Sequence, residues 1–171
     1  FPQPFGTVGS TRVLSIDEGI GKMKAALAGR QDSSLVIAGR TSAAAINGLD
    51  DAIARGRAYQ ATGVDAIFFT GVSEREDIEA VSAALDIPIF LGGSGGGVLG
   101  DREFLARNNV RISLQGHHPF MVAVEATYKT LRALRDGTPP SQITGKPSAE
   151  FMKDVTRGMD YQRWMDEFLG G

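Results

Sequence analysis

Four short runs of branched and aromatic residues, each halting on a small or polar step, restrict what this chain can fold into. They are Leu35-Val36-Ile37-Ala38-Gly39, Val64-Asp65-Ala66-Ile67-Phe68-Phe69, Ile87-Pro88-Ile89-Phe90-Leu91 and Val110-Arg111-Ile112-Ser113-Leu114. Apolar runs without strict alternation mark strands buried on both faces, as in parallel sheets covered by helices. Helical patterns fill the intervals. Ser15 and Glu18 form a capping box, and Ile16, Ile20, Met23 and Leu27 then share one helix face to about Arg30. Further helices are expected over 49–62, closed by Gly63, over 73–85 with Ile78, Val81 and Leu85 inward, over 101–108 and over 119–136. Residues 1–15 and 41–48 read as loops, and 141–171 as two short helices, the last built on Tyr161, Trp164, Met165 and Phe168. The runs recur at about 20 to 30 residues, the spacing of strand–helix units rather than of a solenoid. The expected class is α/β with a parallel sheet, either a small open sheet or part of a (β/α)8 barrel, since a whole barrel takes about 250 residues.

Composition narrows the functions. A chain of 171 residues suffices for an ordinary core, and a net charge of -2 gives no electrostatic case for nucleic acid or an anionic membrane. The absence of cysteine removes disulfides, thiol nucleophiles and thiolate metal sites, and it fits a reducing cytoplasm. No apolar run is long enough to span a bilayer. The opening Phe1-Pro2-Gln3-Pro4-Phe5-Gly6 lacks a methionine and reads like the middle of a loop.

The chemistry-bearing residues gather at the strand ends: Gly39-Arg40-Thr41, Thr70-Gly71, Gly92-Gly93-Ser94 and Gln115-Gly116-His117. In a barrel these steps converge on one mouth, where such folds place their sites. Arg40 offers a planar fork for a carboxylate or phosphate, although an arginine in this place also serves as a surface ion-pair partner. His117 can bond a substrate or move a proton, or it can merely cap the helix that follows. Gln115 can present an amide to a ligand. The run Gly92–Gly97 resembles a phosphate cradle but lacks the Walker lysine and the Rossmann spacing, so a plain loop is the stronger reading. Asp50, Asp51, Glu74, Glu76 and Asp77 stand at expected helix N-termini and Arg132 and Arg135 at a C-terminus, where each matches the helix dipole. Trp164 and Phe168 are too apolar for a free tail, which points to packing on another surface.

The motifs Ile37-Ala38-Gly39-Arg40-Thr41-Ser42-Ala43, Gly48-Leu49-Asp50-Asp51-Ala52-Ile53-Ala54-Arg55 and Gly63-Val64-Asp65-Ala66-Ile67-Phe68-Phe69, in this order, resemble the isocitrate lyase/phosphoenolpyruvate mutase superfamily. The stretches 88–93, 111–119 and 134–140 look most like its bacterial oxaloacetate decarboxylase branch. The resemblance implies a Mg²⁺-dependent carbon–carbon lyase on a (β/α)8 barrel, acting on a small α-keto acid. In the decarboxylase branch it implies loss of CO₂ from oxaloacetate to give pyruvate through a metal-stabilised enolate. By the same resemblance Arg40 matches the arginine that binds the substrate carboxylate, His117 matches a substrate-contacting histidine, and Gln115 is its orienting neighbour.

There are departures. Gly39 stands where alanine is commoner, Ser42 where an acid, asparagine or glycine is usual, and Thr70 where the lyase-type branches carry a glutamate. The acidic metal cluster and mobile loop of the family belong to units that this chain does not contain. The expectation is therefore the C-terminal half of a barrel over 1–140, with a helical extension over 141–171 that can swap between subunits of a dimer or tetramer. Arg40 and His117 are the expected catalytic residues, with Gln115, Gly92 and Gly93 as further substrate contacts. Mg²⁺ is the implied cofactor, with no ligand assigned to these residues. A small α-keto acid is the expected partner, without nucleic acid or membrane, in the cytoplasm. The alternatives are a non-catalytic half-barrel that binds a carboxylate or phosphate, and a truncated product without its own activity.

Overall fold

The computed structural model of the protein describes residues 12–93 and 97–170. Its contacts divide the chain into two compact units, one ending at His118 and the other running from Pro119; the sequence reading draws the boundary at 140.

In the first unit the elements alternate: α1 (Ile16–Gly29), β1 (Ala38–Thr41), α2 (Ala43–Ile46), α3 (Leu49–Gln60), β2 (Ala66–Thr70), α4 (Arg75–Ala84), β3 (Ile89–Gly92), α5 (Arg102–Arg107) and β4 (Val110–Leu114). The strands form one parallel sheet in the order β1-β2-β3-β4. Sequential parallel strands joined by right-handed crossovers place all their helices on one face. Burial agrees with that. Ile67, Phe69, Ile89 and Leu91 on the helix side are fully buried, against Ile78, Val81 and Leu85 of the α4 segment and Phe104 and Leu105 of α5. The opposite face carries Arg40, Phe68, Phe90 and Ile112 in one cross-strand row, and Thr70, Gly92 and Leu114 in the next row toward the carboxyl ends. Ile112 is 43% exposed and Leu114 46%, so no described helix of the first unit covers this face, which is open. Arg111 is the extra residue of a bulge between β3 and β4, which keeps Val110 on the helix side while Ile112 joins the open row.

The capping box forms as expected: Ser15 Oγ accepts the Glu18 N–H at 3.2 Å while the Glu18 carboxylate accepts the Ser15 N–H at 2.9 Å. Gly63 holds φ +93, the left-handed conformation expected of a residue just past a helix. Two expectations are corrected. The first strand does not occupy 35–39; pairing begins at Ala38↔Ala66 and continues through Arg40 to Thr41. Leu35 and Val36 are 58% and 59% exposed because the chain is held away from the ladder there, with Arg30 Nη1 bonded to the Leu35 carbonyl and to Asp65. The Asp65 carboxylate also accepts the Ile37 N–H at 2.8 Å, which sets the register at the amino end of the sheet. The expected loop 41–48 contains the turn of helix α2, since alanine-rich segments are strong helix formers. Of the expected loop 1–15, residues 1–11 lie outside the described residues, as do 94–96 of the glycine run.

The second unit contains most of α6 (His118–Arg135), then α7 (Ala149–Val155) and α8 (Gly158–Leu169). Gly137, at φ +92, ends the long helix, and its N–H reaches back to the Leu134 carbonyl. In α8 the Tyr161 and Trp164 rings meet edge to face at 5.5 Å, and the Arg157 guanidinium lies 5.3 Å from the Trp164 ring centre.

Candidate active site

Arg40 is positioned by the packing beneath it. Its neighbour Gly39 points to the helix side, where the Tyr59 ring of α3 lies so close that a Cβ on Gly39 would stand 3.0 Å from Tyr59 Cδ2. Gly19 of α1 flanks the same ring from the other side: a Cβ there would fall 2.6 Å from Tyr59 Cε1. Tyr59 is thus slotted between two glycines and only 4% exposed. This explains the glycine before Arg40 where alanine is commoner, because a methyl group would push β1 off the ring.

An ion pair holds the layer behind it. Arg55 is 5% exposed, donates from Nε to Asp51 at 2.8 Å and from Nη1 to the Leu14 carbonyl at 2.7 Å. Burial alone would lower the Arg55 pKa, but bonding to Asp51 and Tyr59 raises it overall. The Asp51 carboxyl is held below its ordinary range, chiefly by the hydrogen bond from Arg55 and further by the one from Asn47. Asp51 is therefore a structural carboxylate tying α3 to the chain that enters α1.

On the open face the Arg40 guanidinium lies 5.5 Å from the centre of the Phe68 ring. A ring under a guanidinium holds it by cation–π attraction without consuming its hydrogen-bond donors, so the fork stays available to an anion. One row further on, Thr70 Oγ1 donates to Ser42 Oγ at 2.8 Å, while its methyl faces Gly92. A Cβ on Gly92 would meet Thr70 Cγ2 and Phe68 Cε2, each at 2.9 Å, so both side chains pack over the place where a side chain would stand. Gly93 follows, and a Cβ there would collide with Leu99 Cδ1 at 2.5 Å. Gly116, at φ +76, brings its Cα face close to the Gly93 carbonyl, so the chain after β3 and the chain after β4 lie side by side.

The structure therefore joins Arg40, Phe68, Ser42, Thr70 and Gly92 into one patch. His117 lies exposed in the turn after β4. Three inter-strand spacings separate it from β1, about 14 Å along a flat sheet, so the two residues would approach a ligand from opposite sides. Gln115 lines a hollow with Leu99, Arg102, Arg111 and Ser113, beside α5. It is not brought to Arg40. The sequence marks Thr70 as a strand end and both Ser42 and Thr70 as departures from a pattern, but it does not pair them, because their hydrogen bond depends on the pairing register.

A Mg²⁺ site needs several oxygen ligands, usually carboxylates. No strand of the sheet carries an acidic residue, and no group of three or more His, Cys, Asp or Glu comes together among the described residues. The donor set on this face does not fit the metal; it fits an anion.

Comparison with known proteins bears on this geometry. The model of the phosphoenolpyruvate phosphomutase family matches residues 6–135. An oxaloacetate decarboxylase of Bradyrhizobium sp. (strain ORS 278) is 50% identical over 169 residues, which is 99% of this chain and 58% of that protein. The oxaloacetate decarboxylase of Bradyrhizobium diazoefficiens is 53% identical over the same shares of both chains. The chain thus spans 58% of the length of these relatives. Among solved structures, oxaloacetate acetylhydrolase with the inhibitor 3,3-difluorooxalacetate superposes with a TM-score of 0.72 at 26% identity, covering 96% of this chain and 56% of the other. Phosphonopyruvate hydrolase with oxalate and Mg²⁺ gives 0.71 at 25% identity, covering 98% of this chain and 60% of the other. The four parallel strands and their helices are accordingly part of a (β/α)8 barrel, and the open face is the inner face of its wall.

Proposed function

The chain belongs to the phosphoenolpyruvate phosphomutase family, and from that premise we propose that it is the carboxylate-binding part of a lyase acting on oxaloacetate. The observation that carries the reading is the Arg40 guanidinium on the Phe68 ring, on the inner face of the sheet. A carboxylate there meets a fixed fork of donors over an apolar floor, where charge-assisted bonds are stronger than in water. Loss of CO₂ from a β-keto acid leaves the electron pair of the broken bond in an enolate with its charge on the former keto oxygen, and a lyase accelerates that step by stabilising the developing charge. Arg40 binds and orients one carboxylate. Phe68 and Phe90 keep the floor of the site apolar and exclude water. His117 stands on the β4 side, where its imidazole can donate a hydrogen bond to the substrate. Mg²⁺ has no ligand set among these side chains, so no step is assigned to it here.

The test is pyruvate formation from oxaloacetate by the natural polypeptide that carries this sequence, beside its Arg40→Ala form. The expected result is turnover that falls about a hundredfold or more in kcat/KM when the guanidinium is removed, the order seen when one preorganised charge-stabilising donor is lost. No turnover of oxaloacetate, or turnover indifferent to Arg40, would overturn the reading. A second reading, a non-catalytic module that binds a carboxylate or phosphate, draws on the absence of carboxylates from the open face. Arg40-dependent binding without turnover would favour it.

A further inference from the structure

We propose that Ser42 and Thr70 form a second polar anchor, a hydroxyl pair that binds the far end of a four-carbon keto diacid whose near carboxylate rests on Arg40. The inference rests on the lyase reading above and adds what sets the length and chemistry of the substrate. Three observations carry it. First, the pair belongs to the same face as Arg40: Thr70 lies two residues beyond Phe68 in β2, about 7 Å toward the mouth at the rise of a strand from the ring on which the Arg40 guanidinium rests. That is the reach of a four-carbon diacid, and too far for a two-carbon one.

Second, Ser42 occupies the N-cap position of α2 but makes no capping bond with its side chain. Serine at such a position ordinarily accepts a backbone N–H of the first turn. Here the Ala43 N–H is taken by Thr41 Oγ1 at 3.1 Å instead, and the Ser42 hydroxyl turns to Thr70 at 2.8 Å. Third, the Thr70 methyl packs over Gly92, so its hydroxyl is directed across to Ser42 at the end of β1. One hydroxyl proton is used within the pair. The other remains free to donate outward to a carboxylate or keto oxygen, whichever way the internal bond runs.

The chemistry of the pair also selects. Two neutral hydroxyls donate hydrogen bonds but do not hold or release a proton near neutral pH. They suit a substrate whose bond breaks without a base, such as a β-keto acid losing CO₂. They do not suit a hydroxy acid, whose cleavage requires removal of a hydroxyl proton.

The experiment is calorimetric titration of the natural polypeptide with two probes, oxalate and 3,3-difluorooxaloacetate, for the unaltered protein and for Thr70→Val, Ser42→Ala, Thr70→Ser and the Thr70→Val/Ser42→Ala double form. The expected result is unchanged oxalate affinity in all of them. Affinity for the four-carbon probe should weaken roughly tenfold or more in Thr70→Val and in Ser42→Ala, the loss of one hydrogen bond to a charged group. The double form should lose little more than either single one, because the two hydroxyls act as a unit. Thr70→Ser should restore affinity, which separates the hydroxyl's role from packing. If Arg40→Ala leaves oxalate binding intact, the lyase reading itself falls. If oxalate binding needs Arg40 but the four-carbon probe is indifferent to both hydroxyls, this proposal alone is overturned.

Discussion

Two glycines of one helix should respond to the same substitution with opposite signs. Gly19 and Gly21 both lie inside α1, two positions apart, and alanine is favoured over glycine there by about 0.5–1 kcal/mol through backbone entropy. At Gly21 a Cβ meets nothing within 4 Å, so Gly21→Ala should stabilise the fold by that amount. At Gly19 the new methyl lands on the Tyr59 ring, with Cε1 at 2.6 Å and Cζ at 2.8 Å. The ring has no direction in which to yield, because Gly39 of β1 already stands against Cδ2 on its other side. Overpacking a filled core costs about 1–3 kcal/mol, which exceeds the helix gain, so Gly19→Ala should be destabilising by about 1–2 kcal/mol net. Urea unfolding followed by helical circular dichroism would read both changes as opposite shifts of the midpoint. Two shifts of the same sign would refute the slot around Tyr59, and with it the account of how β1 and Arg40 are seated.

Other perturbations follow from the same packing. Phe69→Ala removes a fully buried ring from between the sheet and Gly56, and should cost about 3–5 kcal/mol in the same unfolding assay. Ser15→Ala removes the Oγ that caps α1 and accepts the Glu18 N–H, while the backbone N–H of residue 15 keeps its bond to the Glu18 carboxylate, for a loss of about 1 kcal/mol. Asp51 has a folded-state pKa below its unfolded one, so its contribution is complete above about pH 4 and is lost as pH falls through the folded value. Asp51→Asn should therefore lower stability at neutral pH and flatten the decline as pH falls below about pH 4, measured as unfolding midpoint against pH. Arg55→Met should cost about 2–3 kcal/mol, less than a fully buried pair because the Asp51 it abandons is 25% exposed.

Much of the fold can be read from the chain because several local signals agree. The inner faces at Ile78, Val81 and Leu85, the Ser15–Glu18 box and the Gly63 stop each reflect short-range chemistry, and each occurs as expected. What fails is whatever depends on pairing partners. Leu35 and Val36 look like strand residues by composition, but the ladder with β2 begins at Ala38, and Asp65 and Arg30 hold the chain before it. The Arg111 bulge is invisible in the run Val110–Leu114, because a single extra residue leaves no mark in apolar content. The site shows the same division. Arg40 can be singled out from its own strand, whereas the Ser42–Thr70 bond and the Tyr59 slot join residues 20 or more positions apart that only the register brings together.

The central claim is that Arg40, on the Phe68 ring, is the anion-binding group of the inner face. The most direct measurement is a nuclear magnetic resonance titration of the ¹⁵N-labelled chain with oxalate, following the arginine side-chain Nε–H signals assigned through single Arg→Lys variants. The account predicts a saturable shift of the Arg40 signal at oxalate concentrations that leave Arg55, already committed to Asp51 and the Leu14 carbonyl, unmoved. An unchanged Arg40 signal, with saturation at Arg102 or Arg111 instead, would contradict it.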